Sequence, residues 1–322
     1  MPRRKRRKNG VSSFNLRVRW LFVFLIILGL ASVILVLYNP FIEEIDLHTL
    51  LQANLRASKI IDRNGEEIVT LSPSRVIWVP LEKIPLFLRR AVITVEDRRY
   101  YEHKGVDFKG IIRAIYYNIL YQRRVQGGST ITQQLAKNLL LSNKKTISRK
   151  LLEIGYAVKI EKKYNKDEIL EFYLNDIYFG HGVYGIEGAA RFYFARSIWE
   201  LTLDEQALLI GLIRGPEVYS PYRYPERALE RRNLVLSTLY NQRLLSKKEY
   251  EQLTAKPMEI QENPTYLSRG GYFADYIEEV LMDEYDWSSR YIRAGELKIY
   301  TTLDSFMQRI AEETVAALPQ DE

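Results

Sequence analysis

The chain has 322 residues, with 47 Lys plus Arg against 40 Asp plus Glu, three His and no Cys. That length exceeds one typical domain and allows a large core with an appendage. Without cysteine neither a disulfide framework nor a thiolate metal site is possible, three histidines are too few for a His-rich site, and the formal charge of +7 first suggests nucleic acid.

The N-terminus removes that suggestion. Arg3, Arg4, Lys5, Arg6, Arg7, Lys8, Arg17 and Arg19 crowd into residues 1–19 with no acid among them. Without these eight, 39 basic residues face 40 acidic ones, so no nucleic-acid partner is expected. Residues 20–42 carry no charge, and a helix over Trp20 to Tyr38, rising about 1.5 Å per residue, covers roughly 28 Å of a ~30 Å hydrocarbon layer. The run is longer than a signal-peptide core and ends in Tyr38-Asn39-Pro40-Phe41 rather than at a small-residue cleavage site, so an uncleaved anchor is expected. Basic residues stay on the cytoplasmic face. Residues 1–19 then form a cytoplasmic tail and 20–42 a single-pass anchor in the cytoplasmic (inner) membrane, with everything after Glu43 outside.

Residues 43–82 read as a stalk and a small β element, in which Lys59 to Val69 forms a hairpin about Asn64-Gly65, a pair suited to φ > 0. From residue 83 the period becomes helical. Pro85 suits a first helical position, and Asp107 caps a segment whose Phe108, Ile111, Ile112, Ile115 and Ile119 share one face. Capping boxes are written at Asn165 to Glu168, Thr202 to Glu205 and Ser246 to Glu249. Residues 83–245 are therefore expected to be the main, mostly α domain. In the C-terminal extension, 246–322, Leu297 to Thr302 alternates as a strand and Leu303 to Leu318 reads as a last helix.

Three stretches carry candidate chemistry. Glu96-Asp97-Arg98-Arg99-Tyr100-Tyr101-Glu102-His103-Lys104-Gly105 follows the apolar Ala91 to Val95, and burial beside that run would raise the Glu96 pKa toward that of a useful base. On composition alone it also reads as a solvated helix end. Gly127-Gly128-Ser129-Thr130-Ile131-Thr132-Gln133-Gln134-Leu135-Ala136-Lys137-Asn138 is either a polar helix after a glycine turn or a surface for sugar and phosphate; with no Gly-Lys-Ser/Thr it is not a Walker loop. Arg149-Lys150-Leu151-Leu152-Glu153 places two cations and an acid on one helix face, the pattern of an ordinary surface ion pair as well as of a site.

In order and spacing these stretches, with Lys166 to Asn175 and Gly182 to Phe194, resemble the five motifs of peptidoglycan glycosyltransferases (glycosyltransferase family 51), the N-terminal module of class A penicillin-binding proteins. The resemblance runs from about residue 58 to 302, with Tyr100 where the family often has Phe. It implies a mainly α, lysozyme-like glycosyltransferase domain with a small β element, preceded by one transmembrane helix. It implies no organic cofactor, and as partners lipid II, the growing lipid-linked glycan strand, the membrane and cell-wall synthesis complex proteins. Class A proteins continue into a transpeptidase; this sequence has no Lys-Thr-Gly, Ser142-Asn143-Lys144-Lys145 reads as a chance Ser-x-x-Lys, and Glu322 is expected to end a fragment.

By the same resemblance, Glu96 and Glu153 are the catalytic pair. Glu96 is the base that deprotonates the acceptor 4-hydroxyl, which attacks the donor anomeric carbon with inversion. Pyrophosphate leaves as a stable anion, so cations replace the acid that a glycosidase needs. Lys137, Arg149 and Lys150 supply that charge, and Ser129, Gln134 and Asn138 line the donor side. Glu153 orders the cations, holds a divalent ion (magnesium or manganese) or assists donor geometry. Asp97 and His103 fix the loop carrying Glu96. The aromatic run Ile115 to Tyr121 with Arg123 and Arg124 reads either as an interfacial segment or as a plain core helix. Two rival readings are a lysozyme-like lytic hydrolase and a catalytically silent membrane scaffold.

Overall fold

The computed structural model describes residues 46–47, 58–71, 77–120, 128–140, 146–261, 271–285, 287 and 289–317. The basic tail, the apolar stretch 20–42, the stalk apart from Asp46 and Leu47, and Tyr121, Arg123, Arg124 and Ser142 to Lys145 lie outside them. Among the described residues no helix is long and apolar enough to cross a membrane.

Strands β1 (Ser58–Ile61) and β2 (Glu67–Leu71) form the expected antiparallel hairpin. Its connection is wider than the two-residue Asn-Gly turn. The Asp62 carboxylate accepts from the backbone N–H of Asn64 and Glu66, both at 2.8 Å, and only Gly65, at φ +87°, enters the left-handed region there. A side chain that satisfies two backbone donors removes the need for a second left-handed residue.

Eleven helices of one turn or more carry most of the described chain up to residue 294: α1 (Leu86–Glu96), α2 (Phe108–Leu120), α3 (Ile131–Leu140), α4 (Ile147–Lys163), α5 (Lys166–Asp176), α6 (Ile186–Phe194), α7 (Leu203–Leu212), α8 (Pro225–Asn241), α9 (Lys247–Ala255), α10 (Gly271–Glu284) and α11 (Ser289–Ala294). Strand β3 (Lys298–Tyr300) and α12 (Ser305–Ala317) complete it. Pro85 stands one residue before α1, and Asp107 caps α2 by accepting from Gly110 N–H at 2.9 Å. Asn165 and Ser246 form complete capping boxes, while Glu205 accepts from Thr202 N–H at 2.8 Å.

Every residue of α7 from Asp204 to Leu212 is buried, which makes it the central rod. Helix α8 packs along it, α1 rests on both, and α3, α4 and α5 pack on one another. Leu88, Val92, Ile131, Leu135, Leu170, Tyr173, Leu208 and Leu236 belong to one apolar core. The polar residues of the fourth motif serve this packing: Glu171 accepts from Trp78 Nε1 and Leu81 N–H, and Asn175 exchanges two bonds with Val79, fastening residues 77–81 to α5. In the fifth motif a Cβ on Gly185 would lie 2.8 Å from the Asn175 carbonyl oxygen, at φ +76°. The apolar face expected on α2 is not a core face at its start, since Phe108 is 55% and Ile112 69% exposed, and Ala114 is buried instead.

The predicted C-terminal strand is present, but its partner is remote: β3 pairs parallel with β1, giving the order β2-β1-β3. Ile60, Leu71, Ala274 and Ile292 form a second, smaller core between this sheet and helices α10 and α11. Arg293 on α11 is buried against Glu278 and lies 3.8 Å from Asp275, both on α10, while Ser289 also donates to Glu278. Removing the cation would strand the buried Glu278 carboxylate, whereas Asp275 keeps Arg223 at 3.2 Å and His181 at 3.1 Å. Arg293→Met is therefore expected to lower unfolding free energy by about 3–5 kcal/mol in a denaturant titration. A loss under about 1 kcal/mol would mean that this network bears little of the fold.

Candidate active site

Helix α1 ends at Glu96 because Asp97 leaves the helical region (φ −153°, ψ 72°) and turns its carboxylate inward. That carboxylate accepts from His103 Nε2 at 3.0 Å and from the backbone N–H of Ile131, the first residue of α3, also at 3.0 Å. An anion at a helix N-terminus is stabilised by the free N–H groups and the dipole. Asp97 and His103 are both buried, so this is a sealed joint between the loop that follows Glu96 and the start of α3. Thr130 Oγ1 strengthens it by donating to the Gly105 carbonyl at 2.7 Å. Gly105, at φ +84°, lies so close to α4 that a Cβ would fall 2.9 Å from the Ala157 carbonyl oxygen.

Helix α3 presents Gln134, Lys137 and Asn138 on one face, as the i, i+3, i+4 spacing requires. Gln134 Nε2 donates to Glu96 at 2.9 Å, and its carbonyl accepts from the buried Tyr173 hydroxyl of α5 at 3.0 Å. On α4, Arg149 Nη1 lies 2.9 Å and Lys150 Nζ 2.7 Å from the two oxygens of buried Glu153, and Lys150 also donates to Ser129 at 2.9 Å. Ser129, placed by sequence on the donor side, thus touches a cation of the site.

These side chains open on one cleft of 660 Å³. Of the ten residues singled out from sequence, Glu96, Ser129, Gln134, Lys137, Asn138, Arg149, Lys150 and Glu153 line it, and Asp97 and His103 stand behind it. Sequence reasoning missed Arg214, just beyond α7, and Arg231 of α8, which line the wall toward Glu96. The signal for Arg214 was a basic residue in the Ile213-Arg214-Gly215-Pro216 helix stop; Arg231 looked like one charge of a solvated helix. It also missed Tyr184, Met282 and Ser289, which bring the fifth motif and the C-terminal helices into the cleft. Tyr184 donates to Ser289 at 2.7 Å.

Burial pushes the Glu96 carboxyl above its ordinary range, with neighbouring Asp97 acting in the same sense, while the Gln134 donor and then Arg231 and Arg214 oppose it. Desolvation lowers the Arg231 pKa, and Arg214 adds like-charge repulsion. The cleft therefore holds one acid biased toward its neutral form among several cations. No group of three or more His, Asp or Glu side chains arranged for a metal occurs among the described residues. Glu153 has a cation against each oxygen, which does not fit the oxygen-rich shell that magnesium or manganese takes.

The family model described as Transglycosylase matches residues 64–240. The chain is 41% identical to penicillin-binding protein 1A of Aquifex aeolicus (strain VF5), over 81% of this chain and 35% of that protein. It is 40% identical to penicillin-binding protein 1F of Bacillus subtilis (strain 168), over 90% of this chain and 40% of the relative. Penicillin-binding protein 2D of the same organism is also 40% identical, over 74% and 35%. The chain thus spans little more than a third of the length of these relatives.

The Glu96 environment has a consequence for stability. The folded chain holds the Glu96 proton more tightly than the unfolded chain, whose carboxyl ionises near 4.5. Above that pH ionisation of Glu96 costs stability, and below it nothing is lost. Glu96→Gln, whose amide oxygen can still accept from Gln134, is expected to be more stable than wild type at neutral pH. The difference should close as pH falls through about 4.5 in paired denaturant titrations. Equal stability at neutral pH would contradict the raised Glu96 pKa.

Proposed function

The chain belongs to the transglycosylase family, and on that premise we propose that it is a peptidoglycan glycosyltransferase, polymerising lipid II into glycan strands. The observation that carries this reading is the half-buried Glu96, whose carboxyl burial biases toward the neutral form, set in a cleft with the cations Lys137, Arg149, Lys150, Arg214 and Arg231. A glycosidase needs a carboxylic acid to protonate an alkoxide leaving group. Glu153 is unsuited to that task, because Arg149 and Lys150 lie against its two oxygens. A sugar pyrophosphate needs no such proton, since it leaves as a stable anion that Arg149, Lys150 and Lys137 can take up.

In this mechanism Glu96 removes the proton from the acceptor 4-hydroxyl, and that oxygen displaces the lipid pyrophosphate from the donor anomeric carbon with inversion. Its raised pKa makes Glu96 a better proton acceptor once it is ionised, and Arg231 and Arg214 help to keep it so. Glu153 acts by ordering Arg149 and Lys150 toward the pyrophosphate, a role that its two ion pairs support over that of a metal ligand. Asp97 and His103 hold the Glu96 loop.

A substrate with a polyprenyl tail requires a membrane. The uncharged run of residues 20–42 and the basic residues before it support a single-pass anchor in the cytoplasmic membrane, with the cleft on the outer side. The exposed Phe108 and Ile112 at the start of α2 support contact of that region with the interface. The lipid-linked strand and the proteins of a wall-synthesis complex follow as partners.

Two substitutions test the division of labour. Glu96→Gln is expected to reduce the polymerisation rate on labelled lipid II by about 10²- to 10⁴-fold with lipid II binding largely kept. Arg149→Lys keeps the charge but loses the guanidinium fork and is expected to lose activity while the pH profile keeps its shape. Near wild-type turnover in Glu96→Gln would remove Glu96 from the reaction.

A further inference from the structure

Tyr173 lies fully buried on α5 and does not line the cleft, yet its hydroxyl reaches into it through one intermediary. It donates to Gln134 Oε1 at 3.0 Å, and Gln134 Nε2 donates to Glu96 at 2.9 Å. A primary amide can turn over, exchanging its oxygen for its nitrogen. With Glu96 ionised, only one orientation is favourable, the one that points N–H at the carboxylate. The Tyr173 O–H, aimed at the amide oxygen, selects that orientation. When Glu96 gains a proton, the opposite arrangement becomes available, with Glu96 donating to the amide oxygen and the amide donating to Tyr173.

We propose that Tyr173 is a positioning residue for the reaction: through the Gln134 amide it holds a hydrogen-bond donor against Glu96 and so favours the ionised base. This rests on the reading of Glu96 as the base. The other charged groups facing Glu96 are Arg231 from α8, Arg214 from the segment after α7, and Asp97 next to it in the chain. Of these, Asp97 also acts through space on the Tyr173 phenol, and Arg231 and Arg214 do not. Burial raises the Tyr173 pKa well above 10, which keeps the phenol protonated and a donor throughout the working range.

The test is the pH profile of kcat/KM for lipid II polymerisation. Tyr173→Phe is expected to move the acid limb to higher pH, with activity about 2- to 10-fold below wild type near pH 6 and within about twofold near pH 8.5. Gln134→Met should move the limb the same way, and the double variant no further than Gln134→Met alone. Incorporating 3-fluorotyrosine at position 173, which keeps the shape and strengthens the donor, should move the limb to lower pH. A structural role alone would lower activity evenly at all pH values and leave the limb in place. An unmoved limb in Tyr173→Phe, additive shifts in the double variant, or no opposite shift with fluorotyrosine would overturn the relay. If Tyr173→Phe does not fold, the fluorotyrosine arm decides. Full turnover in Glu96→Gln would instead defeat the reading of the base itself.

Discussion

The cleft depends on one buried carboxylate, that of Asp97. Asp97 follows the last residue of α1, Glu96, and its carboxylate caps the N-terminus of α3 and holds His103. Loop and helix are thereby fixed to each other by the same group, so Glu96 and Gln134 face one another. A buried anion is costly unless fully hydrogen-bonded, and here helix N–H and imidazole donors compensate it. A joint of this kind holds the half-buried Glu96 carboxyl at the rim of the cleft in a defined geometry.

Around that joint the charges are sorted by their surroundings. Glu96 is destabilised as an anion by burial, which costs the fold and suits the proposed proton transfer. Glu153 lies against two cations, one at each oxygen. The two glutamates of the site thus sit in opposite environments. This difference in surroundings is consistent with the proposed base and a cationic seat for a departing phosphate.

Much of this was legible in the sequence, and the exceptions have physical reasons. Helix periodicity and capping chemistry are local, so Asn165, Ser246 and Asp107 marked true starts. The spacing of Gln134, Lys137 and Asn138, and of Arg149, Lys150 and Glu153, is also local, and it placed those side chains together. What failed was pairing across distance. The β1–β3 contact joins segments some 240 residues apart, and nothing in Lys298 to Tyr300 names its partner. Arg214 and Arg231 reach Glu96 only because α7 and α8 pack beneath α1. At Asp62 a side chain replaced the expected Asn-Gly turn, and at Phe108 and Ile112 an apolar face was left in contact with its surroundings rather than with the core. Periodicity identifies an apolar face; it does not say what covers it.

The central claim is that this cleft joins sugars rather than cleaving them. The direct measurement is to incubate the purified, detergent-solubilised protein with labelled lipid II, and in parallel with finished glycan, and to separate the products by chain length. The account predicts a ladder of lengthening strands from lipid II and unchanged finished glycan. Shortened glycan without a ladder would contradict it in favour of a hydrolase, and no product from either substrate would contradict it in favour of a silent scaffold.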